Sequence, residues 1–177
     1  MRKLSMEELG RISPEEYKNA SKNPIVIVLD NVRSLHNVGS AFRTSDAFFV
    51  EKIYLCGITG VPPNKEINKT ALGATESVSW EYVKETTDIV KKLKEEGYTI
   101  ACVEQTDESL SLTKFMPDKT KNYCFVFGNE VFGVGERTIA LSDLSLEIPQ
   151  YGTKHSLNIS VALGIVIWDY LSKISQS

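Results

Sequence analysis

Five short runs of the chain are apolar at nearly every position: IVIVL (25–29), KIYLCG (52–57), YTIACVE (98–104), NYCFVFG (122–128) and LSLEIP (144–149). They are rich in β-branched and aromatic residues and lack the alternation of a strand with one wet face. That pattern predicts strands of a mostly parallel sheet covered on both sides. Between them the period becomes helical. Residues 37–48 carry Ala41, Phe42 and Phe48, residues 86–96 (TTDIVKKLKEE) end at Gly97 in the position of a C-terminal cap, and a short helix begins at Glu136. Within 86–96 the run KKLKEE mixes signs at helical spacing and reads as a solvated face. Strands alternating with helices define an α/β fold, a sheet flanked by helices.

The two ends of the chain read differently. Ser5 and Ser13 each stand three residues before a glutamate, Glu8 and Glu16, and Pro14 follows Ser13, so two short capped helices are expected as a lead-in over residues 1–23, with one domain over 24–177. The final segment, 156–175, is apolar around almost its whole circumference through Trp168. A helix of that kind needs cover on more than one side, and a subunit interface is expected beside the sheet.

Composition narrows the class. A length of 177 residues with 42% apolar and 24% charged residues fits a single globular domain with a real core. Lys and Arg number 20 against 23 Asp and Glu, a net charge of −3, so no global positive field draws the chain to nucleic acid, and an RNA partner has to be met by a local basic patch. No apolar run approaches the roughly 18 residues of a membrane span, and the N-terminus has no apolar core of a secretion signal, so a cytoplasmic protein without a membrane partner is expected. Cys56, Cys102 and Cys124 are odd in number, lie inside apolar runs and form no CxxC pair, which predicts buried reduced thiols.

The chemistry concentrates in three polar loops placed after strands, where open α/β sheets bind ligands: 30–47, 127–136 and 148–160. Familiar motifs fail there. Gly128, Gly133 and Gly135 are not spaced as GxGxxG, no GK[ST] follows them, and Ser156 has no GxSxG elbow around it. His36 and His155 are the only histidines and have no carboxylates at metal-ligand spacing, so no metal is expected.

Read together, NVGSAFRTSDA (37–47), FGNEVFGV (127–134) and IPQYGTKHSLNISVA (148–162), with KTALGA (69–74), resemble the motifs of the SpoU (TrmH-like) branch of the SPOUT RNA methyltransferases. The resemblance covers roughly residues 24–172. It implies an α/β domain whose C-terminal chain forms a deep trefoil knot, S-adenosylmethionine as methyl donor, a homodimer completing the site, and 2′-O-methylated ribose in tRNA or rRNA as product. Carried over by motif position, the catalytic set is Asn37, Arg43, Glu130, Ser156 and Asn158. The cofactor set is Val103, Glu104, Gly128, Ile148, Ser156 and Leu157. Gln150 stands where the family often has methionine.

The residues alone fit such chemistry, because methyl transfer from a sulfonium is an in-line displacement that needs alignment and help with one proton, and no metal. For Arg43 two roles stand open: activation of the 2′-hydroxyl as a base, or a charged clamp on RNA phosphate, the second favoured by a guanidinium pKa above about 12. Glu130 is expected to cap the helix near Gly135 or to pair with Arg43, and Ser156 and Asn158 double as capping residues of the last helix. Lys65, Lys69, Lys119 and Lys121 are candidate RNA contacts. The competing readings are a non-catalytic RNA-binding or assembly protein that keeps the fold, and an unrelated nucleotide-binding enzyme.

Overall fold

The computed structural model describes residues 1–5 and 7–175. Seven strands, β1 (Asn23–Asp30), β2 (Val50–Cys56), β3 (Trp80–Val83), β4 (Tyr98–Val103), β5 (Leu110–Ser111), β6 (Asn122–Phe127) and β7 (Leu144–Glu147), form one sheet in the order β3-β2-β1-β6-β4-β7-β5. Every pairing is parallel. The helices are α1 (Pro14–Asn19), α2 (Leu35–Ala47), α3 (Lys65–Ala71), α4 (Ala74–Ser77), α5 (Thr86–Glu95), α6 (Glu136–Ile139) and α7 (Ile159–Ser175).

Both faces of the sheet are buried, which explains the unbroken apolar runs. Ile25, Ile27 and Leu29 of β1, with Tyr123, Phe125 and Phe127 of β6, pack on one side with Phe42 of α2 and Leu163, Val166, Ile167 and Tyr170 of α7. Val26 and Val28, with Cys124 and Val126, point the other way to Ile89, Val90 and Leu93 of α5. The period of two is present but hidden, since inside and outside are both core. All three cysteines are buried free thiols on the α5 side, as expected, and burial pushes Cys56 up to about 12 and Cys124 in the same direction. Such thiols are poor nucleophiles.

Strand order places the site. The chain builds outward from β1 to β2 and β3, then crosses to the far side of β1 to lay down β4, β6 and β7. The loops leaving the carboxyl ends of β1, β4, β6 and β7 therefore gather over one region of the sheet edge.

Three expectations change. Among the described residues the lead-in has one helix, not two. Ser5 and Glu8 do exchange the capping hydrogen bonds, at 2.8 and 3.3 Å, but they enclose only a turn that ends at Gly10 with φ +56°. That segment is exposed, so no buried face offsets the cost of nucleating a helix. By contrast α1 has its full capping box and buries Tyr17, whose hydroxyl donates to the Ser45 carbonyl. The sheet has seven strands rather than five; β3 and β5 lie at its two edges, are short and partly exposed, and so carry no continuous apolar run. The helical turns of α3 and α4, interrupted by left-handed Leu72 and Gly73, also escaped the pattern.

One glycine of the first motif has a packing role. A Cβ on Gly39 would lie 2.2 Å from the Ile67 carbonyl oxygen and 2.2 Å from the Thr70 hydroxyl, so α2 and α3 touch backbone to backbone there. Gly39→Ala is expected to destabilise the fold by about 1–3 kcal/mol, the usual range for overpacking, as a lower urea midpoint with an unchanged slope.

Candidate active site

The site is assembled from three loops that are remote in sequence. Glu130, just past β6, turns its carboxylate onto the start of α2, where it accepts hydrogen bonds from the Arg33 N–H (3.0 Å), the Ser34 N–H (2.9 Å) and the Asn37 side-chain amide (3.0 Å). A carboxylate at a helix N-terminus is favoured by the unpaired N–H groups and the dipole. Asn37 then accepts from the Asn158 side-chain amide (3.1 Å) through its own carbonyl oxygen. Asn158 in turn starts α7, its Oδ1 accepting from the Ser160 N–H at 2.9 Å. One polar chain, Glu130–Asn37–Asn158, thus ties the first motif to the second and third. Burial by itself would raise the Glu130 pKa, but the Arg33 and Ser34 N–H groups and the Asn37 amide outweigh it and hold the carboxyl below its ordinary value of 4.5. Glu130 is an acceptor at neutral pH and no proton donor.

The expected partners of Glu130 are therefore corrected. It does not pair with Arg43, and it does not cap the helix near Gly135, whose N–H goes to Asp30 at 3.0 Å. Helix geometry accounts for the first: six residues from Asn37 to Arg43 advance about 9 Å and turn 240° around the axis, so the two do not share a face. Arg43 is exposed and makes no hydrogen bond or ion pair among the described residues.

Beside the polar chain lies a cavity of about 520 Å³, within the roughly 300–1,000 Å³ of small-molecule sites. All six residues proposed for the cofactor, Val103, Glu104, Gly128, Ile148, Ser156 and Leu157, line it, and so do Glu130 and Asn158; Asn37 stands behind them, and Arg43 is outside. Ser156 is exposed, with no hydrogen bond among the described residues, whereas Asn158 does both jobs, capping and site. Gly128 is obligatory, because a Cβ there would lie 2.0 Å from the Gly133 backbone carbon. Glu104 braces the wall: its carboxylate accepts from the Gln105 and Val134 N–H groups, both at 2.9 Å.

The charge of this cavity selects its ligand. Among the described residues its lining includes Glu104, Glu130 and Glu147 but no lysine or arginine. Such a wall suits a cationic molecule and repels a phosphate-bearing nucleotide. S-adenosylmethionine, with its sulfonium and ammonium charges, fits this donor set.

Sequence reading missed several residues. Gln105 donates to the His155 carbonyl at 3.1 Å, joining the loop after β4 to the loop before α7. Buried Asn129 donates to the Asn31 carbonyl at 2.7 Å and accepts from the Val131 and Phe132 N–H groups at 2.9 and 3.2 Å. No spacing signal marks them, although Asn129, beside Glu130 in a glycine-rich loop, was the accessible guess. The two histidines do not converge: His36 Nε2 meets Glu66 at 3.0 Å, while His155 lines the cavity.

A parallel sheet with an acidic cavity at the carboxyl ends of its central strands defines an α/β protein with a ligand site suited to a small cationic molecule. Residues 24–168 match the SpoU rRNA Methylase family, and the chain belongs to that family. It is 31% identical over 150 residues to the 23S rRNA (guanosine-2′-O-)-methyltransferase RlmB of Neisseria meningitidis, covering 85% of this chain but 59% of that protein. It is 30% identical over 165 residues to the tRNA (guanosine(18)-2′-O)-methyltransferase of Thermus thermophilus, covering 92% of this chain and 81% of that one. Among solved structures it superposes on the A. aeolicus TrmH/SpoU tRNA modifying enzyme with a TM-score of 0.80 at 28% identity, over 92% of this chain and 81% of that one. It also superposes on the AdoMet-bound rRNA methyltransferase of Sinorhizobium meliloti with a TM-score of 0.77 at 25% identity, over 90% and 60%.

The depressed pKa of Glu130 has a signed consequence. Its contribution to stability is fully present above 4.5 and is lost as pH falls through the lower folded value. Glu130→Gln is accordingly expected to be less stable than the parent at pH 7, with the gap narrowing below pH 4.5 in denaturant titrations; a gap independent of pH would contradict the charged bridge.

Proposed function

We propose that this chain is an S-adenosylmethionine-dependent RNA methyltransferase that methylates a ribose 2′-hydroxyl in tRNA or rRNA, working as a homodimer in the cytoplasm. The observation that carries the reading is the acidic cavity sharing Glu130 and Asn158 with the polar chain to Asn37. When bound, the cofactor supplies an electrophilic methyl group on a sulfonium. The protein's part is alignment. The loops after β4, β6 and β7 hold the donor, Asn37 and Asn158 keep the α2 and α7 ends in register with Glu130, and the Ser156 hydroxyl stands at the cavity wall where it can orient the incoming sugar.

Arg43 carries the substrate role. Exposed and outside the cavity of its own subunit, its guanidinium clamps an RNA phosphate and stabilises oxyanion character on the attacking oxygen, leaving the proton to phosphate or water. Lys65, with Lys69 beside Glu66, extends positive charge along α3. No described helix is long and apolar enough to cross a membrane, and the exposed stripe Val161, Ile165 and Trp168 on α7 supports a subunit contact that completes the site. The knot implied by the motifs belongs to the same proposal.

The alternative of an RNA-binding protein without activity is disfavoured by the intact set Asn37, Arg43, Glu130, Ser156 and Asn158. Transfer of tritiated methyl to unmodified tRNA and rRNA transcripts tests the proposal; folded protein that takes up no S-adenosylmethionine at millimolar concentration in a calorimeter would overturn it. Arg43→Ala is expected to slow transfer at least a hundredfold, about 2.7 kcal/mol, with cofactor affinity within a few fold. Sedimentation at tens of micromolar should give a dimer, and a persistent monomer there would count against the completed site.

A further inference from the structure

Two residues beyond Glu130 the chain exposes a phenylalanine that no packing explains. Phe132 is 83% exposed and Val131 67%, yet both wall the mouth of the cavity. The loop beneath them is heavily hydrogen-bonded. Asn129 and Gly133 exchange backbone hydrogen bonds at 2.9 Å in both directions, the Asn129 side-chain Oδ1 accepts from the Val131 and Phe132 N–H groups, and its Nδ2 donates to the Asn31 carbonyl just past β1. These bonds fix the Phe132 backbone, and the ring stands out from it into solvent. Apolar surface held out in this way at the rim of a site is characteristic of a ligand contact.

The ring's neighbourhood selects the ligand. Below it lies the cavity that takes the cofactor, and in the same loop is Glu130, fixed to Asn37 and Asn158. A nucleotide whose 2′-oxygen points into this cavity must send its base outward past the rim. A planar aromatic ring there offers a face that any base can stack on, independent of hydrogen-bond pattern. We propose that Phe132 is a positioning residue that stacks on the base at or next to the methylated nucleotide, orienting the ribose without entering the chemistry. This rests on the RNA methyltransferase reading above.

The test compares Phe132→Ala, Phe132→Leu and Phe132→Trp in the full-length protein, using unmodified tRNA and rRNA transcripts. Methyl transfer gives KM and kcat, filter retention gives equilibrium RNA binding, calorimetry gives S-adenosylmethionine affinity, and sedimentation gives the oligomeric state. Phe132→Ala should raise the RNA dissociation constant about tenfold or more and lower kcat/KM by at least as much, with cofactor affinity within threefold. Phe132→Trp should restore RNA binding, and Phe132→Leu, apolar but without a π face, should not. The proposal is overturned if Phe132→Ala binds RNA like the parent, if leucine serves as well as tryptophan, if the variant loses cofactor affinity, or if it separates the subunits, since those results mark a cofactor or subunit contact. If the parent binds RNA but transfers no methyl, the enzymatic reading falls while the binding ratios still decide the stacking. If it binds no RNA at all, both fall.

Discussion

The Glu130 carboxylate is the joint on which the site depends. It spans 93 residues to Asn37, and Asn37 spans a further 121 to Asn158, so loops with no local reason to meet are held by one line of charge-assisted and amide hydrogen bonds. The carboxylate remains charged because backbone N–H groups at the α2 terminus face it, and it orders that terminus in return. The geometry of the site and the stability of the fold are therefore linked through the same atoms.

The second constraint is the doubly covered sheet. With helices on both faces, β1, β4 and β6 must be apolar throughout, and chemistry is confined to the loops at the carboxyl ends. Where the chain crosses β1 to build β6, β4 and β7, those loops converge and leave a cavity. Small residues are obligatory where backbones approach: Gly128 against Gly133, and Gly39 against Ile67.

Charge is divided in a way that suits two ligands of opposite sign. The cavity carries Glu104, Glu130 and Glu147, whereas Arg43, Lys65 and Lys69 lie outside it, Lys69 already neutralised in part by Glu66. A chain with a net charge of −3 can thus accept a cationic small molecule inside and still meet a polyanion with local positive groups.

Sequence alone determined the sheet's five inner strands, α5 with its end at Gly97, the body of α2 but not its start at Leu35, the buried thiols and the three loops that matter, because continuous burial and capping chemistry leave local signatures. The motifs named six cofactor residues, and all six line one cavity. What only tertiary structure decided was partnership. Whether Glu130 meets Arg43, Gly135 or the start of α2 depends on loop positions set by strand order, and the helical phase that turns Arg43 away from Asn37 matters only once α2 is docked. The edge strands β3 and β5 were likewise invisible, since a strand paired on one side and half exposed needs no apolar run. Asn129 and Gln105 gave no signal either: a buried amide is specified by the carbonyls around it, and those arrive from distant segments.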